Sequence, residues 1–266
     1  MRLPFTLTES SVLAVIPARY DSTRFPGKAL ANLDGHPMIE HVYRRASAAA
    51  LVHGTIVATD DERIARAVEG FGGAVIMTRG DHTSGTDRIA EVVKRACPDA
   101  ELIVNLQGDE PDLKPESINQ LVRLISGRPE VEMATLATPI YSLTVLHDPS
   151  CVKVVRATDG RALYFSRATI PFMRDGSPDD LLADQDQSGQ PLTPWLLHLG
   201  IYAYRREFLL RLTKMPPSRL EQLEKLEQLR ALEAGASILV QVVSERSVGI
   251  DTPADYAQFV AKHRRV

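Results

Sequence analysis

Cysteine is scarce in this chain: Cys97 and Cys151 are the only two in 266 residues, and they lack C-x-x-C spacing. That excludes a disulfide scaffold and fits a reducing cytoplasm, with both residues expected as packed thiols rather than ligands or nucleophiles. No apolar run approaches the roughly 20 residues needed to cross a bilayer. The opening MRLPFTLTESS has one Arg and no apolar core of signal-peptide length, and reads as a short extension before the first strand. There is no basic excess: the net charge is −3, which argues against non-specific nucleic-acid binding. Repeats and low-complexity linkers are absent. Ser22 and Ser84 stand outside any G-x-S-x-G elbow, which weakens a covalent hydrolase reading. What remains is ordinary for a soluble globular protein, 44% hydrophobic and 24% charged. A chain of this length can bury one substantial core, as one large domain or a main domain with a subdomain.

The most informative segment is Val12 to Leu30, VLAVIPARYDSTRFPGKAL. A short apolar strand, Val12 to Ile16, empties into a loop broken by Pro17, Pro26 and Gly27 and carrying Arg19, Arg24 and Lys28. Arginine grips phosphate with a flat fork of donors, and lysine adds a point charge. Ala29 stands where a Walker A loop needs Ser or Thr, so a triphosphate is expected to be held mainly by side chains.

Strand and helix signals then alternate. Helical spacing covers His36 to Ala50, and GTIVATD is a strand ending at Thr59 and Asp60. Acidic Asp60, Asp61 and Glu62 open the next helix at its positive end. Gly70, Gly72 and Gly73 stop it. Ala74 to Met77 is a strand, Gly85 or Thr86 opens a helix through Ala96, Leu102 to Leu106 is a buried strand, and Pro115 to Ser126 a helix. This pattern predicts parallel βαβ units in a doubly wound α/β sheet, with ligands beyond the carboxyl ends of the strands. Further on, Val152 to Arg156 and Ala162 to Phe165 read as strands around an Asp159-Gly160 turn. Met173 to Pro194 reads as a mobile polar loop, and Leu199 to Tyr204 as a strand. A long charged helix runs from a Ser218 cap to about Ala234. Ile238 to Val243 is a strand, and Pro253 opens the last helix.

Three more places carry chemistry. IVNLQGDEP puts Asp109 and Glu110 just past a buried strand, and carboxylates there suit Mg²⁺ beside phosphate, Asp109 being the better ligand. In VGIDTPADY, Asp251 is either a plain helix N-cap or a second metal carboxylate. MTRGDHTSGTDR offers Ser84, Gly85 and Thr86 at a helix start for a base or phosphate. His82 has no partner at metal spacing and reads as an exposed loop histidine.

Together, IPARYDSTRFPGKAL, TRGDHTSGTDRIAE, VNLQGDEP, VKVV, ALYFSRATIP, HLGIYAYR, LEKLEQLRALEAG and GIDTP resemble, in order, the 3-deoxy-D-manno-octulosonate (Kdo) cytidylyltransferase family, the CMP-Kdo synthetases. The likeness runs from about Val12 to the final helix. Phe25, Ala29 and Asp112 depart from it, and the 173–194 loop is longer and more acidic than the family leads one to expect. The resemblance implies one α/β domain of the nucleotide-diphospho-sugar transferase (Rossmann-like) type. Its mostly parallel central sheet would be flanked by helices, with a sugar-side and dimerisation subregion at about 150–215 and ALYFSRATIP near a homodimer contact. It implies a cytoplasmic, Mg²⁺-dependent enzyme that joins CTP and Kdo to give CMP-Kdo and pyrophosphate for lipopolysaccharide synthesis. Pro17, Ala18, Arg19, Ser22, Arg24, Lys28, Arg79, Ser84, Gly85, Thr86 and Gln107 would hold the nucleotide. Asp109 and Asp251 would hold Mg²⁺. Arg19 and Lys28 would stabilise the leaving group, and Arg167, His198, Tyr202, Glu227 and Gln228 would face the sugar acid. Two rivals stand beside this: a cytidylyltransferase for an amino-Kdo or sialic acid, and a non-catalytic nucleotide-binding regulator.

Overall fold

The computed structural model describes residues 4–21, 24–183, 193–244 and 249–263. They fall into two compact units. One comprises Met1–Arg123, Ile201–Thr213 and Ser247–Val266, the other Leu124–Gly200 and Lys214–Arg246.

The first unit begins with β1 (Ser11–Ala18), buried along nearly its whole length. Side chains buried on both faces mark a central parallel strand. A 3₁₀ turn (Lys28–Leu30) leads to the short hairpin of β2 (Asn32–Leu33) and β3 (His36–Pro37). Its corner is Asp34-Gly35, with φ of 48° and 86°, the paired positive angles that an Asp-Gly turn supplies. Helix α1 (Met38–Ser47) buries Met38, Ile39, Val42 and Ala46 at helical spacing. Then come β4 (Gly54–Thr59), α2 (Glu62–Gly70), β5 (Val75–Met77), α3 (Gly85–Ala96), β6 (Ala100–Asn105) and α4 (Pro115–Ser126), whose last three residues belong to the second unit. The caps are local. The Asp61 carboxylate accepts from Arg63 N, and the Ser84 hydroxyl accepts from Asp87 N, each satisfying an orphan donor of a first turn.

The second unit holds β7 (Met133–Pro139), α5 (Leu143–His147), β8 (Lys153–Arg156), β9 (Ala162–Ser166) and α6 (Pro178–Ala183). Strand β10 (Leu196–Arg205) belongs to the second unit up to Gly200 and to the first from Ile201, and α7 (Arg206–Leu212) follows it directly in the first unit. The second unit resumes with α8 (Arg219–Glu224), α9 (Gln228–Glu233) and β11 (Ile238–Val242), and α10 (Pro253–His263) returns to the first.

In the first unit β1 lies between β4 and β6, parallel to both; β5 adds parallel to β4, and Tyr202–Arg205 of β10 runs antiparallel to β6. This is the expected α/β, mostly parallel sheet flanked by helices. In the register Ala18 pairs with Thr59, Thr59 with Met77, and Val15 with Asn105. The chain past β1, β4, β5 and β6 therefore emerges at one edge, where open parallel sheets bind ligands. In the second unit β7 and β11 are parallel, while β8 pairs antiparallel with β9 and with Leu196 and Leu197 of β10.

Two expectations are corrected. The helix expected from Ser218 to about Ala234 is two helices, because Lys225 takes a left-handed conformation with φ 54° and ends α8 at Glu224. The polar segment expected as a loop over 173–194 contains α6, fastened by Ser177 N to Asp180 Oδ2 at 2.9 Å and Asp179 N to Ser177 Oγ at 3.3 Å. Residues 184–192 of that segment lie outside the described residues.

Ser218 opens α8 with a full capping box: its hydroxyl accepts from Glu221 N, and Glu221 Oε2 accepts from Ser218 N at 3.0 Å. Ser218→Ala should lower stability by about 1 kcal/mol, and Ser218→Asp by only a few tenths. Urea unfolding of the two variants against wild type checks this.

Candidate active site

Past Ala18 the chain loops out and is drawn back when Gly27 N donates to Tyr20 O at 2.8 Å. Gly27 has φ 72°, and a Cβ there would meet the Tyr20 ring at 3.2 Å, so the turn requires glycine. Lys28 follows immediately. Past β6, Gly108 lets the chain run close to β1: a Cβ would sit 3.4 Å from Pro17 O. Asp109 comes next. A third segment reaches the same place from the far end of the chain, where Ile250 N donates to Asp109 O at 2.9 Å. Ile250 is fully buried with Leu33 and Met38, and Phe25, Tyr256, Phe259 and Val260 pack around them. That apolar anchor sets the neighbouring Asp251.

Three distant pieces of sequence thus meet at one cation. Lys28 Nζ donates to the Asp109 carboxylate in a very short contact and to Asp251 Oδ1 at 3.2 Å, while Arg24 Nη2 lies 3.1 Å from Asp251 Oδ2. Burial alone would lower the Lys28 pKa, but Asp109 first and Asp251 second outweigh it, so the pKa is raised and the ammonium persists. Asp251 is not the cap of α10. Asp255 N donates to Thr252 Oγ1 at 3.1 Å, and Thr252 N and Oγ1 both donate to Asp255 Oδ2 at 2.8 Å. Thr252 caps the helix, which leaves the Asp251 carboxylate for the cations.

The loop from β5 to α3 forms another part of this edge. Gly85 abuts the end of β1, since a Cβ would stand 3.2 Å from Pro17 Cγ. Ala18 and Thr86 are buried, and Gln107 is half-buried. Ser84 spends its hydroxyl on Asp87, at the start of α3. The loop is gripped from below by Arg88, which is 1% exposed and donates to Thr78 Oγ1 at 2.5 Å and Asp60 Oδ2 at 3.0 Å. Glu91 grips it from the helix, accepting from Arg79 N at 3.1 Å and contacting His82 Nε2 and Arg95. Burial would raise the Glu91 pKa, but Arg79 N–H, His82 and Arg95 bring it down to about 2. His82, expected as an exposed loop histidine, is therefore a half-buried partner of Glu91. The Arg79 guanidinium is exposed and held by Asp81 at 2.7 and 2.8 Å. Arg19 is exposed on the β1 loop, and Ser22 lies outside the described residues.

Four of the five residues expected at the sugar lie in the second unit, and Tyr202 lies in the first. The Arg167 guanidinium donates to the carbonyls of Glu224 and Pro149, at 2.7 and 2.9 Å. His198 packs edge-on to Phe165, with its Nε2 at 3.0 Å from Thr135 Oγ1, and burial pushes its pKa down to about 3. Glu227 stands at the start of α9. Gln228 is 4% exposed, and its Nε2 has no hydrogen-bond partner among the described residues. Tyr202 stacks at a tilt on Tyr204, ring centroids 5.8 Å apart.

Sequence reasoning passed over Arg88, Glu91 and Glu224 as site-shaping residues. A buried arginine on a helix looks, letter by letter, like the exposed arginines around it. Only the density of polar groups in MTRGDHTSGTDR hinted at the network.

A polyphosphate-type cation cluster with two carboxylates, at the carboxyl edge of a mostly parallel sheet, is the arrangement of a nucleotidyltransferase. The family profile described as Cytidylyltransferase matches residues 13–238. The 3-deoxy-manno-octulosonate cytidylyltransferase of Geobacter sulfurreducens is 50% identical over 252 residues, 95% of this chain and 99% of that one. The 8-amino-3,8-dideoxy-manno-octulosonate cytidylyltransferase of Shewanella halifaxensis is 50% identical over 247 residues, 92% of this chain and 95% of that one. The solved CMP:2-keto-3-deoxy-manno-octonic acid synthetase complexed with CTP matches with a TM-score of 0.85 at 43% identity, over 96% of this chain and 99% of its own. The chain belongs to the 3-deoxy-manno-octulosonate cytidylyltransferase family.

A neutral His198 has a stability consequence. Its folded pKa lies below the ordinary 6.5, so the unfolded state binds the extra proton first. Its contribution is lost progressively as pH falls from about 6.5 towards about 3. His198→Gln should lose less stability than wild type across that window, as read by denaturant midpoints at successive pH values.

Proposed function

We propose that this protein transfers CMP from CTP to 3-deoxy-D-manno-octulosonate, releasing pyrophosphate, with the Lys28 cluster as its chemical centre. Family membership at 50% identity over almost the whole chain carries the substrates, and the convergence of Lys28, Arg24, Asp109 and Asp251 supports the chemistry. The anomeric hydroxyl of the sugar acid attacks the α-phosphorus in line, and charge grows on the departing pyrophosphate. Lys28 and Arg24 are cations already gathered at this edge, where they can meet that charge. Arg19, on the same loop, adds a third. When a triphosphate engages Lys28 and Arg24, it competes with the carboxylates that hold them.

That competition bears on the metal. Asp109 and Asp251 bring hard oxygens to within hydrogen-bond reach of one ammonium, and a pair of carboxylates beside phosphate oxygens is the donor set Mg²⁺ takes. Bound there, Mg²⁺ would supply Lewis-acid polarisation and lower the pKa of the attacking hydroxyl. Asp109 and Asp251 also orient Lys28, while Gly85 and Gly108 keep the walls close to Pro17. On the sugar side, the Gln228 Nε2, without a partner among the described residues, is a donor suited to an oxygen of the sugar acid, with His198 and Glu227 in the same unit.

We also assign a cytoplasmic homodimer. Tyr141, Leu163, Phe172 and Leu223 are exposed large apolar side chains, all in the second unit, and Leu163 lies in the ALYFSRATIP segment. Leu163→Glu should shift the mass measured by light scattering from dimer towards monomer.

A second acceptor is the 8-amino analogue of Kdo, because a relative named for that sugar is as similar as one named for Kdo. Pyrophosphate release from CTP and Mg²⁺ with Kdo, its 8-amino analogue and a sialic acid tests the reading. Release with Kdo is expected; release with the amino sugar alone would move the specificity, and release with none would contradict transfer. Asp109→Asn should cut turnover about a hundredfold or more while weakening metal-free CTP binding far less. Turnover near wild type at saturating Mg²⁺ would remove Asp109 from the metal set.

A further inference from the structure

Glu224, the last residue of α8, binds several pieces of the second unit together. Its Oε1 accepts from Ser166 Oγ at 2.6 Å and its Oε2 from Arg167 N at 2.9 Å. Its own carbonyl accepts from Arg167 Nε at 2.7 Å. The last carbonyls of a helix have no intrahelical donor, and here a guanidinium takes that place. Arg167 Nη1 extends the tie to Pro149 O at 2.9 Å. Lys153, fully buried on β8, closes it from the other side. Its Nζ donates to the carbonyls of Arg167 and Cys151 at 2.6 Å and of Asp148 at 3.0 Å. Bonds with an ionised partner are the stronger kind, and each of these has one.

The next residue is the helix break. Lys225 sits at φ 54°, ψ 45°, a region that side chains with a Cβ avoid. The local sequence does not ask for it, since Lys-Leu-Glu-Gln-Leu would continue a helix. The break buries Leu226 and starts α9 at Gln228, whose side-chain amide is buried with a donor that has no partner among the described residues. An unpaired buried donor is costly, so the structure spends both backbone strain and desolvation to present residues 227 and 228 as it does.

We propose that Glu224 is a positioning residue for the sugar acid: its carboxylate fixes the Lys225 break and so the placement of Glu227 and Gln228, without touching substrate. This rests on the reading that Glu227 and Gln228 face the sugar. Arg167 then works chiefly as the strut that holds the end of α8, which accounts for its guanidinium being aimed at backbone carbonyls.

The test is steady-state kinetics of the full chain with CTP and the sugar acid, alongside thermal melts, for Glu224→Gln, Lys225→Val and Lys225→Gly. Glu224→Gln and Lys225→Val should raise KM for the sugar acid about tenfold, the equivalent of one lost charge-assisted contact, and leave KM for CTP within about twofold. Lys225→Gly adopts the left-handed angle freely, so it should keep both KM values. A merely structural role would lower Tm and active fraction while leaving both KM values unchanged, or would move them together; either result overturns the proposal. A wild type that consumes no sugar acid at all would instead overturn the functional reading, and the positioning role with it.

Discussion

The ammonium of Lys28 between the carboxylates of Asp109 and Asp251 is the interaction on which this site depends. Each partner comes from a different stretch of chain: the turn after β1, the turn after β6, and the segment before α10. None of the three turns has a regular ladder to fix it. They are fixed by a glycine that allows close approach at Gly108, a left-handed glycine at Gly27, one backbone bond from Ile250 to Asp109 and the burial of Ile250. Two carboxylates brought to one place would repel each other. The lysine makes the arrangement stable without a ligand, and the same lysine is a ready phosphate ligand. Stability and function therefore draw on one set of charges.

A second constraint is the use of buried charge for positioning. Arg88 underlies the β5–α3 loop, Glu91 clasps it, and Lys153 and Glu224 fasten the end of α8. Such groups are costly to bury and strongly destabilising when one partner is removed, which is a reason to find them where geometry matters more than packing. Arg88 holds the Thr78 and Asp60 side chains, whereas Glu91, Lys153 and Glu224 each grip a backbone N–H or C=O group. Backbone partners leave the side-chain identity of the loop free while holding its course.

Much of this was legible in the sequence. Apolar runs ending in charged turns marked the ends of β1 and β6, so Lys28 and Asp109 could be singled out from letters alone. Asp251 could be read either as a cap or as a site carboxylate, because Asp-Thr-Pro fits a helix start. Only the Thr252–Asp255 bonds decided it. The break at Lys225 was not legible, since helical periodicity continues through it and the cause is tertiary, in Arg167 and Ser166. For the same reason His82 looked exposed: its partner Glu91 lies nine residues on, across a turn whose shape the sequence does not state. Strand β7 is not legible in the sequence because MATLATP carries two small alanine-threonine pairs in place of a strong apolar alternation, and it finds its parallel partner about a hundred residues later in β11.

Lys28 holds Asp109 and Asp251 in the structure; on the proposed mechanism a triphosphate draws the lysine away and the carboxylates would then serve a metal. The most direct test is calorimetric titration of the wild-type protein with Mg²⁺, alone and in the presence of CTP, with Asp109→Asn as reference. Expected are weak Mg²⁺ binding alone, markedly tighter binding with CTP than CTP itself provides in solution, and loss of that gain in the variant. Equal Mg²⁺ affinity with and without CTP, or an undiminished gain in Asp109→Asn, would contradict it.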